Sequence, residues 1–300
     1  MLESGYHEPT NFPRAILRSL LQKAVRRGYS DIAISVARLL ADHGDSKWLH
    51  MRVGVIIFEE CWPLATLLRS EKDIIRMLEL VALTIKNKNA AGLGALAYAY
   101  STGDQSAGHF TADSLPIKIV AAGLKRPEDF FSWASSGDID TEQMAVISAA
   151  EIFFRQATWP WDKAFTIAAS YLAQTYVPST SLSRSYNTED FPYWVAIDKH
   201  TPEGKKILKS TAHDLNISYE LLSYISFYLE SATLNSTVDS PWWTAEKNWK
   251  FSKLHTSHAE AESIWSKAKP LIEKKAKPQT NQIKNLLKTK YQKNTPDLFK

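Results

Sequence analysis

The densest run of side chains capable of chemistry is Phe191-Pro192-Tyr193-Trp194-Val195-Ala196-Ile197-Asp198-Lys199-His200-Thr201-Pro202-Glu203-Gly204-Lys205-Lys206. Thr201 before Pro202 reads as an N-cap followed by proline at the first helical position. Asp198 and His200 therefore stand just ahead of a helix N-terminus, whose unpaired N–H groups attract anions, and Lys205 and Lys206 add charge one turn later. Gly204, without a Cβ, admits a close approach to that first turn. An acid, an imidazole and an anion site together suit binding of a phosphodiester, or hydrolysis of an N-glycosidic bond beside one. Departure of a base leaves an oxocarbenium-like sugar, which a carboxylate stabilises while orienting water. On that reading Asp198 is the catalytic carboxylate, assisted by His200 or Glu203. The plainer alternative is a capped helix with solvated lysines.

Aromatic residues surround this run: Tyr186, Phe191, Tyr193 and Trp194 before it, then Tyr219, Tyr224, Phe227, Tyr228, Trp242, Trp243, Trp249 and Phe251. Flat rings beside a basic groove stack on unpaired or flipped-out bases, and Tyr193, Trp194, Trp242 and Trp243 are the candidates for that role. Most of the others suit a core. Trp242 and Trp243 are neighbours and point about 100° apart on a helix, which sends one of them to a rim. A second group, Arg14, Arg18, Lys23, Arg26 and Arg27, contains no acid between its ends. It suits phosphate contact; complementing a helix dipole is the alternative.

Other chemistries lack their signatures. No His-Glu-x-x-His, EF-hand loop, Gly-x-Ser-x-Gly elbow or phosphate-cradling Gly-x-x-x-x-Gly-Lys-[Ser/Thr] occurs, and no metal or cofactor is expected. Asp42-His43, His213-Asp214 and the His255/His258 pair are isolated, and Ser257 with Glu260 already has capping-box spacing. The single cysteine, Cys61, excludes an internal disulfide framework and fits a reducing cytoplasm. No apolar run approaches the roughly 18 residues of a membrane span, and the N-terminus does not read as a secretory signal.

Helices must position these groups. Apolar residues recur at spacings of three and four from Ile16 to Val25 and again from Ile32 to Leu40, with Gly28 between and Ser30 or Asp31 as the next cap. Further helices are predicted over 48–61, 70–86, 90–100, 115–124, 127–134, 141–158 and 160–176, and starts at Thr201, Ser218, Ser240-Pro241 and Ser257. No sustained period-two alternation appears. The fold class is all-α, with about a dozen helices. Residues 177–192 read as a long polar loop suited to a lid or binding loop, with a disordered insertion as the alternative. Charge is uneven: residues 266–300 hold ten lysines against Glu273 and Asp297, while the rest of the chain carries a net −4. Lysine as the only basic residue type there suits sequence-independent attraction to polyanions, with solubility as the equal alternative. These features divide the chain into 1–105, 106–265 and a lysine-rich tail, 266–300.

The succession Ser19-Leu20-Leu21-Gln22-Lys23-Ala24-Val25-Arg26-Arg27-Gly28, Asp31, Ala33, Ala37-Arg38-Leu39-Leu40, Gly44-Asp45, Trp48-Leu49, Arg52 and Phe58-Glu59-Glu60 resembles the helical region that follows the motor in RarA/MgsA-type AAA+ ATPases, relatives of clamp loaders. The resemblance covers about residues 14–100. It implies a collar-like bundle used in oligomerisation and DNA metabolism, with a second copy of the chain or a replication or repair protein as partner. The motor itself is missing, so ATP-driven loading is not expected.

Three functions follow as expectations. The first is a DNA-binding helical protein of repair, replication or phage defence, contacting phosphates through basic helices. The second is a metal-independent DNA glycosylase that excises a flipped base, natural or modified, with a carboxylate such as Asp198. The third is a protein-interaction scaffold.

Overall fold

The computed structural model describes residues 12–183, 186, 188–234 and 236–294, with side chains as far as 288. Among these the chain is all-helical. The first half holds α1 (Arg14–Arg26), α2 (Ser30–Asp42), α3 (Ser46–Glu60), α4 (Leu67–Ser70), α5 (Ile74–Leu83), α6 (Asn89–Ser101), α7 (Leu115–Lys125) and α8 (Pro127–Ala134). The second holds α9 (Thr141–Gln156), α10 (Pro160–Thr175), α11 (Pro202–Asp214), α12 (Tyr219–Ser226), α13 (Pro241–Lys253) and α14 (His258–Asn294). No strand occurs among the described residues, only three isolated bridges. No described helix is long and apolar enough to cross a membrane.

The helix ends show which sequence signals act. Thr201 caps α11 by accepting from the Gly204 N–H at 3.0 Å, and Ser218 caps α12 through the Leu221 N–H at 3.1 Å. Ser257 and Glu260 close a reciprocal capping box at 2.7 and 3.2 Å. Gly28 ends α1 with φ +80°. Two expectations change. Neither Ser30 nor Asp31 caps α2, whose N-cap is Tyr29 with no side-chain bond. The helix expected over 70–86 begins only at Ile74, where Asp73 accepts from the Ile75 N–H at 2.8 Å, and it ends at Leu83. Beyond that end the fully buried Lys86 ammonium donates to the carbonyls of Val81, Ala82 and Thr84, satisfying acceptors that the helix leaves open.

The hub is α6. Its sequence, Asn-Ala-Ala-Gly-Leu-Gly-Ala-Leu-Ala-Tyr-Ala-Tyr-Ser, is buried on nearly every side, and α7, α10 and α13 all pack on it. Two glycines set the distance of approach. A Cβ on Gly92 would fall 2.3 Å from the Trp242 carbonyl carbon, and one on Gly94 would fall 2.8 Å from the Ala164 carbonyl oxygen. Helices α13 and α10 thus lie directly on the α6 backbone.

The expected tail is mostly helix. Residues 258–294 form α14, about 55 Å long at the usual helical rise. Ala261, Trp265, Ala268, Ile272, Ala276, Ile283 and Leu287 bury one stripe of it against α11, α12 and the turn at 193–196. A boundary at 265/266 therefore falls inside a helix. A single connected core runs from Ile16 to Leu287 and includes residues from all three expected segments. Residues 295–300 lie outside the described residues.

Candidate active site

A cavity of about 660 Å³ lies where α1, α3, α6, α10, α12 and α13 converge. Each helix presents one stripe to it. Arg18, Ser19, Gln22, Lys23 and Arg26 follow the three-and-four spacing along α1, and Trp48, Arg52, Val55 and Glu59 do so along α3. Ala91 and Ala95, one turn apart on α6, supply a small-residue wall. Trp159, Trp161, Asp162 and Phe165 come from the start of α10; Trp243, Glu246 and Lys250 from α13. Tyr224, Phe227 and Tyr228 follow α12 into a short π-helical segment, 227–231. Local π-helical turns redirect side chains and recur at functional sites.

Two of the cavity's acids stand outside the ion-pair network of the described residues. Glu246 is buried; one oxygen accepts from the Tyr228 hydroxyl, and the other is buried with no hydrogen-bond partner. Burial pushes its carboxyl up to about 7 against the Tyr228 bond and the charges of Lys250, Lys199 and Lys88. Asp162 has no ion pair among the described residues, and burial lifts it to about 6 although Arg52 opposes the shift. The third acid, Glu59, behaves in the opposite way. Burial opposes its charge, yet Lys88, Arg26 and Arg52 together hold it down at about 2. Arg26 donates to Glu59 at 2.7 Å and to Glu60 at 2.8 Å, Gln22 donates to Glu59 at 2.5 Å, and Lys88 reaches both acids at 3.3–3.4 Å. This network joins α1, α3 and the N-cap of α6 along the cavity wall.

Aromatic faces and cations complete the wall. The Arg18 guanidinium lies 4.7 Å from the Trp48 ring, and Lys88 lies 4.5 Å from Trp243. Trp159 is 69 % exposed and Trp161 36 % exposed, so part of the aromatic lining faces solvent.

The residues singled out in the sequence fall into different places. Asp198 is buried outside the cavity wall. Its carboxylate pairs with Lys23 and His200 Nδ1, the latter at 3.0 Å, and accepts the His200 backbone N–H at 2.9 Å. Burial alone would raise its pKa, but Lys23 and His200 outweigh it and keep the carboxyl far below the usual range. Asp198 thus ties the turn before α11 to α1. His200 is exposed and lines the cavity; Glu203, on the first turn of α11, does not. The close approach at Gly204 is made by the chain itself: a Cβ there would fall 1.9 Å from the Asp198 carbonyl oxygen. The turn at 198–201 therefore covers the helix N-terminus expected to receive an anion. Lys205 and Lys206 are exposed on α11.

The arginine-rich first helix is not a bare cationic surface. Arg14 and Arg18 pair with Asp45, Arg26 with Glu59 and Glu60, Arg27 with Glu230, and Lys23 with Asp198. Tyr193 and Trp194 pack towards α14, beneath Lys284 and Lys269, and Trp194 stacks on Trp265. Trp242 lies against α6; Trp243 alone of the four stacking candidates lines the cavity. Within the expected lid, 181–183 is tied to 83–85 through Ser181 and Ser183, and none of its described residues lines the cavity. No group of three or more potential metal ligands occurs among the described residues.

Comparison with protein-family models, curated proteins and solved structures finds no match to this chain. Its chemistry must be read from the cavity. Glu59, Asp162 and Glu246 lie on three helices far apart in sequence, and their only local signal is an acid at helical spacing from an aromatic or a cation on the same face: Trp48/Arg52/Glu59 and Trp243/Glu246/Lys250.

Proposed function

We propose that this chain binds DNA and hydrolyses the N-glycosidic bond of a base taken into the cavity. The observation that carries this reading is that one aromatic-walled cavity holds two acids outside the ion-pair network of the described residues: Glu246, with one buried oxygen unpartnered, and Asp162. Trp48, Trp161 and Trp243 offer faces on which an extruded base can stack. Glu246, near half protonation at neutral pH, donates a proton to the departing base. Asp162, mostly ionised there, orients the attacking water and stabilises the positive sugar. The role first given to Asp198 thus passes to two acids that face the cavity, and Asp198 becomes a positioning residue.

Phosphate contact is assigned to exposed lysines rather than to the paired arginines of α1. Lys205 and Lys206 on α11 and Lys274, Lys277 and Lys288 on α14 are exposed, and α11 packs against α14. The collar-like resemblance of residues 14–100 supports the same partner. The test is incubation with single-stranded, double-stranded and base-modified DNA, followed by alkali. Breaks at single positions, with free base released, support the reading; binding without base release from any of these DNAs leaves only a DNA-binding scaffold.

A further inference from the structure

The cavity contains a second reactive group that base hydrolysis does not use. Arg18, Lys23 and Arg26 are each engaged by a carboxylate at hydrogen-bond distance. Lys199 has none among the described residues. Its ammonium lies 4.1 Å from the Tyr224 ring and 4.4 Å from the Phe227 ring, within the cavity wall. Its main chain is held on both sides, because Asp198 is anchored to Lys23 and also accepts the His200 backbone N–H. A lysine on a rigid turn, facing aromatic carbon in a cavity with acids, has the surroundings of an amine nucleophile.

We propose that Lys199 forms an imine with the abasic sugar left after base removal, so that the same cavity also breaks the DNA strand. This rests on the reading that the cavity receives a DNA sugar. The neutral amine of Lys199 adds to the C1′ aldehyde of the ring-opened deoxyribose, the aldehyde oxygen takes a proton from the Glu246 carboxyl, and it leaves as water, giving a protonated imine. A carboxylate, Glu246 once it has given up its proton, takes a proton from C2′. The C2′–C3′ double bond forms as the C3′–O bond breaks, and the 3′ oxygen departs with its phosphate at the end of the downstream strand. Water then hydrolyses the imine and restores Lys199. The sequence needs no oxidant or reductant. Burial supports it by bringing the Lys199 amine down to about 8 against the opposing charges of Asp198 and Glu246, which leaves a fraction of neutral amine at physiological pH.

The test uses a duplex with one preformed abasic site and sodium borohydride, which reduces an imine to a stable amine. Wild-type protein is expected to give one covalent protein–DNA adduct, mapped by peptide mass to Lys199, and strand cleavage when borohydride is left out. Lys199→Arg keeps the charge and the ring contacts; with its circular dichroism unchanged, it is expected to lose both adduct and cleavage. No wild-type adduct, an undiminished adduct in Lys199→Arg, or attachment to other lysines overturns the proposal. Because the abasic site is made beforehand, base release is scored separately: a protein that releases base but gives no adduct loses the imine step and keeps the hydrolysis.

Discussion

At the residue scale, the cavity acids and their neighbours divide by whether burial or a paired cation sets their charge. Glu246 and Asp162 are raised by burial and have no ion pair among the described residues, whereas Asp198 and Glu59 are pinned in the charged state by cations. If Glu246 works in its protonated form, activity is carried below its folded pKa and lost above it. The rate of base release is therefore expected to fall as pH rises through about 7, measured as kcat/KM against pH. Asp198 contributes stability instead. Its folded pKa lies below the unfolded value near 3.9, so that contribution is present above pH 4 and declines as pH falls further. Asp198→Asn leaves the Lys23 ammonium buried without its counter-charge and is expected to cost about 3–5 kcal/mol in urea unfolding. Lys23→Met added to Asp198→Asn is expected to recover part of that loss. The dense run at 191–206 stood out because its residues are neighbours in sequence. Sequence order does not show that Lys23, far upstream, consumes the Asp198 charge, nor that Asp45, Glu59, Glu60 and Glu230 neutralise the arginines of α1.

At the scale of elements, helix type and many of the ends were legible. Pro127, Pro160, Pro202 and Pro241 each open a helix, and the caps at Thr201, Ser218 and Ser257 act as their side-chain chemistry requires. What could not be read was how closely the helices approach one another. The cavity exists because α13 and α10 rest on the glycine and alanine surface of α6, an arrangement that an apolar run with two glycines announces only as buried. Gly92→Ala tests this. The added Cβ would lie 2.3 Å from the Trp242 carbonyl carbon, so α13 must shift, and overpacking of this kind costs about 1–3 kcal/mol. Because Trp243 and Glu246 ride on that helix, base release is expected to fall well before the fold is lost, seen as a drop in kcat in a variant that still melts cooperatively.

Over the whole molecule, one core joins the arginine-rich first helix to the lysine-rich last one, and the uneven charge resolves into two different uses. Arginines of α1 are spent on internal ion pairs, whereas most lysines of α14 point outward. The excess of lysines that set residues 266–300 apart as a tail lies mostly on the outer side of a continuous helix whose opposite stripe is buried, and Pro270 and Pro278 sit exposed within it. Replacing Lys274 and Lys277 with Gln is expected to lower the slope of log Kd against log salt by about 1–2 for duplex DNA, without changing the melting temperature. The central claim, that this cavity removes a base, is tested most directly by comparing wild type with Glu246→Gln in a single-turnover assay of free base, with DNA affinity measured on the same samples. Wild type is expected to release base. Glu246→Gln, which keeps an acceptor for the Tyr228 hydroxyl, is expected to bind DNA equally well but to be slower by about 10²–10⁴-fold. Equal rates for the two proteins, or no release by wild type, would contradict the account.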